Sequence, residues 1–466
     1  LEPAFQPLAL RLGDWLVREE RDGGFRNRLD WHRETYMWLE AYRVLRPQLS
    51  VARRQAWGDA LRAQIDALAA ELARSRDAAR YTGQFLHTSP NHFALYAATV
   101  YLGGRVFGEP RWESAGAFVL RRFVAEQHPD GFWGELRADA PTIGYNALTL
   151  TAVGVYYEHS REPAARAALE RATRFHAAFT YPDGQPNELL NDRNRHWFVS
   201  PWGHFAFSHF GSGRRLAHQL AGQLRGDRSM ETLGRLAQNA LYWHDGPDAT
   251  PEPWRGQLPV VVTQRGPWRV TLSGLTGMAP AQSQWFLDRQ SHVSIHHERL
   301  GLIVSGAPSK RQPELAQFGQ SSALDGARRG EEIALAYAGF TATLGAALED
   351  NAVRLRTHLA PHGPKPPADA RVALQLVLHA GEPIETGGGQ RVVLGRDRLE
   401  WPELGGWIRH HGWMLEVPAG ATLEWPVFGY NPYRAGADTS LEHAVAVVAW
   451  REPVRSVATG VRLTAQ

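Results

Sequence analysis

Asp130-Gly131-Phe132-Trp133, inside the stretch Gln127-His128-Pro129-Asp130-Gly131-Phe132-Trp133-Gly134, decides how the first half of this chain is read. An Asp-Gly pair supplies a positive φ at low steric cost, which is what a chain needs where one helix stops and the next begins. The pair recurs at Asp22-Gly23-Gly24-Phe25 and at Asp183-Gly184-Gln185-Pro186. Between these turns the apolar residues follow helical spacing. Trp57, Leu61, Ile65, Leu68 and Leu72 recur every three or four residues and so share one helix face. Phe93 and Tyr96 open a further helical stretch, and similar periodicity covers 113–127, 145–159, 163–178, 213–224 and 229–244. A repeating unit of helix, Asp-Gly turn and helix is what stacked helical hairpins produce, so the first half is expected to form an incomplete α/α toroid.

After Trp243 the texture changes to short β-rich runs: Val260–Val262, Trp268–Leu272, Leu300–Ser305, Ile333–Tyr337, Val372–Leu378 and Val445–Trp450. The run Val372-Ala373-Leu374-Gln375-Leu376-Val377-Leu378 is almost continuously apolar, as in strands buried on both faces. Gly387-Gly388-Gly389 and the proline-rich 361–367 read as surface loops. So many strands without interleaved helices close most naturally as an antiparallel β-sandwich. The expected fold is therefore a multidomain α+β chain, an incomplete α/α toroid over 1–248 followed by a β-sandwich over 249–466.

Composition narrows the class of function. With 43% apolar and 21% charged residues among 466, the chain has the apolar area that a packed globular protein requires. No run of about 18 apolar residues occurs, so no membrane-spanning helix is expected. Acidic residues nearly balance basic ones at a formal charge of +3, which argues against nucleic acid as a partner. The basic residues are almost all arginine, Lys310 and Lys365 being the exceptions. Guanidinium forks suit planar carboxylates, although the same bias also arises as a genomic habit. There is no cysteine, which excludes disulfides, thiolate nucleophiles and cysteine metal sites. The start at Leu1-Glu2-Pro3 without Met reads either as a removed signal peptide or as an expression boundary, and a removed signal peptide would make this a periplasmic or extracellular bacterial protein.

Four segments hold residues able to carry chemistry. In Thr88-Ser89-Pro90-Asn91-His92-Phe93, Asn91 and His92 stand at a helix entrance, where Asn91 or Ser89 can equally serve as a cap. In Thr142-Ile143-Gly144-Tyr145-Asn146, Tyr145 opens a helix about two helices further on, and a packed tyrosine with a satisfied hydroxyl is the plain alternative. The polar run from Asn187 to Trp197 contains Arg193, Arg195, His196 and Trp197. It reads either as a solvated loop or as a wall that neutralises an anion and stacks a sugar ring. Trp202, His204 and His209 extend it. In Asp288-Arg289-Gln290-Ser291-His292-Val293-Ser294-Ile295-His296-His297-Glu298, strand alternation puts His292, Ser294, His296 and Glu298 on one face. That face can hold a metal or can simply be a polar strand lining a cleft.

The Asn91-His92 pair, Tyr145 and a strand histidine followed by a glycine-containing hairpin, His292 to Gly301, resemble the pattern of polysaccharide lyases. The group in question has an α/α toroid followed by an antiparallel β-sandwich and includes heparinase II/III-like and alginate-lyase-like enzymes. The resemblance implies β-elimination on a uronic-acid-containing polysaccharide or oligosaccharide. Asn91 would neutralise the uronate carboxylate, Tyr145 would protonate the leaving oxygen, and His92 or His292 would assist or act as base. Arg193, Arg195, His196, Trp133, Trp197 and His204 would bind substrate. Elimination requires the proton at C5 to be acidified by neutralising the adjacent carboxylate, which these residue types can do without a cofactor. Ser294 replaces the acidic residue frequent two positions after the sheet histidine, so no metal is expected.

Two other readings stand beside it. A glycoside hydrolase on the same toroid needs two carboxylates about 5 to 10 Å apart, for which Glu135, Glu188 and Asp192 are candidates. A non-catalytic carbohydrate-binding protein would use Trp133, Trp197 and Trp202 as stacking platforms. The Gln127 to Gly134 segment also resembles the Gln-x-x-Asp-Gly-x-Trp repeats of terpene-cyclase-like toroids, but the Asp-x-Asp-Asp acid signature of those enzymes is missing.

Overall fold

A computed structural model describes residues 5–23, 31–191, 199–278, 283–310, 312–319, 322–434 and 436–466. The helices are α1 Gln6–Arg21, α2 Trp31–Leu45, α3 Val51–Ser75, α4 Pro90–Phe107, α5 Pro110–Ala125, α6 Ile143–Ser160, α7 Pro163–Ala178, α8 His204–Phe207, α9 Gly211–Gln223 and α10 Met230–Leu241. Their starts follow from local chemistry. Pro90 and Pro110 stand in the first turn of α4 and α5, where a missing N–H is harmless. Ser50 and Ser229 cap α3 and α10 by accepting from the N–H groups of Arg53 and Thr232.

In the first unit α4 is the central element. It is apolar on nearly all sides and packs against α2, α3, α5 and α6. Glycine makes this crowding possible. A Cβ on Gly116 of α5 would lie 2.5 Å from the carbonyl oxygen of Ala97, and one on Gly104 would lie 2.3 Å from the amide nitrogen of Glu113. The two helices therefore touch backbone to backbone. The Asp-Gly turn at 130–131 behaves as expected, with Gly131 at φ 100° and no room for a side chain beside the Arg171 carbonyl.

The strands are β1 Val260–Arg265, β2 Trp268–Ser273, β3 Val293–His297, β4 Gly301–Ser305, β5 Asp325–Arg329, β6 Glu332–Tyr337, β7 Phe340–Leu348, β8 Ala352–Pro361 and β9 Asp369–Val377. They continue as β10 Pro383–Thr386, β11 Arg391–Val393, β12 Leu399–Trp401, β13 Trp407–His410, β14 Trp413–Glu416, β15 Thr422–Val427, β16 Val445–Pro453 and β17 Arg455–Ala465. They form an eight-stranded sheet, ordered β1-β2-β3-β4-β9-β16-β15-β12, and a nine-stranded sheet, ordered β11-β10-β13-β14-β17-β8-β7-β6-β5. The pairings are antiparallel, and one apolar core draws on both sheets, from Trp268, Ile295 and Leu374 in the first to Ile333, Leu355 and Trp413 in the second. The chain is thus α+β, with helices first and two antiparallel sheets after them.

The division of the chain is not a single cut near 248. One compact unit comprises 1–177 and 200–252, and the other comprises 178–199 and 253–466. The segment after α7 leaves the helices and is tied into the strands. A short bridge joins Thr180 to Pro186, and the third Asp-Gly pair, with Gly184 at φ 91°, turns this excursion instead of linking two helices. Asn187 Nδ2 donates to Thr271 Oγ1 at 2.9 Å, the N–H of Gly306 donates to Glu188 Oε1 at 2.8 Å, and His296 Nε2 donates to Asp183 Oδ2 at 3.1 Å. Leu189 packs directly over Gly306, where a Cβ would stand 2.2 Å from Leu189 Cδ2 and force that side chain to shift. Periodicity ascribes 163–178 to a helix but carries no signal for what the polar residues after it will pair with.

Candidate active site

Asn91 lies in the first turn of α4, one residue after Pro90, with its side chain fully buried. It does not cap the helix. Its Nδ2 donates to Glu135 Oε2 at 2.8 Å and to Ser89 Oγ at 3.3 Å, and Oδ1 has no hydrogen-bond partner among the described residues. The amide orientation follows from chemistry, because a carboxylate accepts and so must face the NH2 group. Glu135 is itself buried in the loop that precedes α6. That loop is clamped to α6 by Asn146, whose Oδ1 accepts from the Trp133 N–H at 2.7 Å and whose Nδ2 donates to the Trp133 carbonyl at 3.3 Å. A continuous set of bonds therefore runs from Asn91 at the start of α4 to Asn146 at the start of α6. Tyr145, half-buried, is the neighbour of that anchor.

His92 faces a different set. Arg33 Nη2 stands 3.1 Å from His92 Nε2, and Thr88 Oγ1 stands 3.5 Å from Nδ1. A guanidinium can only donate, so Nε2 carries the lone pair and the ring is the neutral Nδ1–H tautomer. The His32 ring packs against it with centroids 4.5 Å apart. Burial, reinforced by the charges of Arg33 and Arg235, pushes the His32 imidazole down to about 3, so it adds no charge at neutral pH. Arg33 and His32 were not legible as site residues. They open α2 with no turn or motif around them.

The second unit holds His292, just ahead of β3 and fully buried. Its Nδ1 donates to the Ser273 carbonyl at 2.9 Å, leaving Nε2 as an acceptor with no partner among the described residues. Burial, partly offset by that bond, pushes it down to about 4. The face of β3 that carries Ser294 and His296 is covered by the 181–188 segment of the same unit. Tyr181 stacks on His296 with centroids 4.5 Å apart and an interplanar angle of 7°. Its hydroxyl donates to Glu188 Oε2 at 3.1 Å and meets Ser294 Oγ. Burial holds the Glu188 carboxyl above the usual range despite those bonds, and burial plus the Glu188 charge raise the Tyr181 phenol. His296 is committed to Asp183, so this face is not an open pair of imidazoles.

The remaining expected residues divide three ways. Trp133 was expected to bind substrate, yet it is buried with its indole N–H on the Phe123 carbonyl at 2.8 Å, and no ring face is open to a sugar. The seal it makes behind the Asp-Gly turn is what excludes it. His204 is also buried; its Nε2 donates to the Ser200 carbonyl at 2.8 Å, and burial pushes it down to about 4. Trp202 is covered by the Arg235 guanidinium, 3.2 Å from its ring centre. Arg193, Arg195, His196, Trp197 and Asp192 lie outside the described residues.

No family model matches the chain, and no curated protein matches it in sequence. Among solved structures it is similar to the chondroitin AC lyase of Streptomyces coelicolor A3, determined in complex with chondroitin sulphate. The two share 13% identity over 92% of this chain and 66% of that one, with a TM-score of 0.48. It is also similar to the 4-alpha-glucanotransferase of Thermococcus litoralis, at 8% identity over 68% of this chain and 48% of that one, with a TM-score of 0.26. The chain thus spans less than two thirds of the length of either neighbour.

Proposed function

We propose that this chain is a polysaccharide lyase that cleaves a uronic-acid-containing polysaccharide by β-elimination, with Asn91, His92 and Tyr145 as its reacting residues. The observation that carries the reading is the bonded path from Asn91 through Glu135 and the Trp133 backbone to Asn146, which links the entrances of α4 and α6. Those two entrances bear an amide, an imidazole with an adjacent guanidinium, and a phenol.

In the proposed reaction the uronate carboxylate is held by Asn91 and by the positive charge of Arg33 beside His92. Of the two bonds made by Asn91 Nδ2, the longer one, to Ser89, is the one a carboxylate would replace. Neutralisation lets the negative charge that develops on abstraction of the C5 proton spread into the carboxyl group. Tyr145 returns a proton to the leaving glycosidic oxygen as the C4–O bond breaks and the C4–C5 double bond forms. The base is His92 or His292. The neutral tautomer of His92 supports it once substrate draws Arg33 away from Nε2. The unpartnered Nε2 of His292 supports that residue, and its depressed pKa weakens it as a base. Substrate would be an anionic poly- or oligosaccharide, acted on in the periplasm or outside the cell.

The test is an ultraviolet screen of the full chain against alginate, glucuronan, chondroitin and heparin-type polymers. Elimination creates a conjugated unsaturated uronate, so absorbance should rise with each cleavage. New reducing ends without that absorbance would make the protein a hydrolase and overturn the proposal. Retardation in affinity electrophoresis with neither product would make it a binding protein.

A further inference from the structure

Three side chains outside the proposed site converge in the helical unit. Glu158 is in the last turn of α6, His209 lies between α8 and α9, and His244 follows α10. His244 Nε2 is 2.7 Å from Glu158 Oε1, and His209 Nε2 is 2.9 Å from the same oxygen. The His209 contact is off the line of a hydrogen bond, and that nitrogen has no hydrogen-bond partner among the described residues, although only 7% of the side chain is exposed. One buried imidazole nitrogen is therefore aimed into the group without being satisfied by it.

The surroundings preorganise the trio. Arg161 Nη2 binds the other oxygen, Glu158 Oε2, at 2.8 Å, leaving Oε1 as a single donor. Ser208 Oγ accepts from the His244 backbone N–H at 3.0 Å and donates to the Phe205 carbonyl at 2.6 Å. Arg214 bonds both the Ser208 carbonyl and that of Pro247, so the backbone beside each histidine is pinned to the other. The His209 and His244 rings lie 4.1 Å apart, and His244 alone is substantially exposed, at 37%. That exposure gives an ion a way in from solvent.

We propose that Glu158, His209 and His244 bind one divalent transition metal of the zinc class, which cross-links the end of α6 to the segments flanking α9 and α10. All three donor atoms lie within 4.8 Å of one another. Two imidazole nitrogens and one carboxylate oxygen favour zinc, cobalt or nickel over magnesium or calcium, which prefer oxygen donors. Zinc bonds of about 2.0–2.2 Å in a tetrahedron need donors a little more than 3 Å apart, so both histidine nitrogens must draw back slightly from Glu158 Oε1, now 2.7 and 2.9 Å away.

The test strips the full chain with a chelator, adds zinc chloride or magnesium chloride, desalts, and measures bound metal together with Tm. Wild type should retain one zinc per chain and melt at higher temperature with zinc, with no such rise in magnesium. His244→Gln, at the exposed position, should keep the apo Tm. Its zinc Kd should rise by more than the roughly 10–100-fold typical of losing an outer-shell partner. Glu158→Gln should behave alike. Equal zinc retention and equal Tm shift in wild type and His244→Gln would overturn the site, as would no zinc effect in wild type. The trio would then be a plain hydrogen-bonded cluster, with any zinc held by other histidines.

Discussion

Asn91 Nδ2 donates to Glu135 Oε2 at 2.8 Å, with both side chains closed to solvent. The carboxylate thereby fixes which way the amide faces and ties α4 to the loop before α6. Glu135 is a positioning residue in the proposed reaction. Glu135→Ala leaves a buried N–H unsatisfied, at a cost of about 1–3 kcal/mol in stability. Misplacing Asn91 should lower kcat on the responsive polymer by roughly 10²-fold. Glu135→Gln keeps a carbonyl acceptor and should recover most of both. Thermal melts and elimination rates on the three proteins check this, and equal rates in Ala and Gln variants would remove Glu135 from any positioning role.

Tyr145→Phe removes one hydroxyl from a half-buried side chain and should leave the fold intact. If that hydroxyl protonates the leaving oxygen, kcat should drop by about 10²–10⁴-fold with KM little changed. A rise in KM at unchanged kcat would instead make Tyr145 a binding contact only.

What the sequence disclosed was chiefly local. Periodicity over 145–159 and 163–178 anticipates α6 and α7 closely, since helix faces are written in neighbouring residues. The apolar run 372–378 likewise anticipates β9, a strand in the interior of its sheet. Partner choice was not local. Nothing near Glu188 announces that its oxygens will meet Gly306 and Tyr181, or that 178–199 will join the strands. Arg33 became visible only through His92, and Glu135, weighed as a hydrolase carboxylate, proved to be bonded to an amide. Trp133 shows the opposite error. Its aromatic character suggested sugar stacking, whereas its position behind an Asp-Gly turn already implied burial.

Glu188 offers a test of the crossover segment. Its folded pKa is raised above 4.5, chiefly by burial. Its contribution to stability is therefore fully present below the unfolded value and is lost as pH rises through the folded one. Glu188→Gln cannot ionise and still presents an acceptor to the Gly306 N–H. The variant should melt higher than wild type near neutral pH, with the two Tm curves converging at acid pH. Parallel curves would show that burial does not raise the pKa of this carboxyl in the folded protein.

His204 gives a pH dependence of the opposite sign in the helical unit. Burial pushes its pKa from 6.5 to about 4, so the unfolded chain binds the proton more readily. Its contribution is fully present above about 6.5 and is lost as pH falls through that value to about 4. This pKa gap corresponds to on the order of 3 kcal/mol. His176, fully buried in α7 and pushed by burial to about 3, adds to the same acid sensitivity. His204→Gln keeps an N–H donor for the Ser200 carbonyl but cannot take up the proton. Urea denaturation at pH 7.5 and pH 5 should therefore show a smaller loss of stability in the variant than in wild type. An equal loss in both would mean that His204 is already protonated, or freely hydrated, in the folded protein.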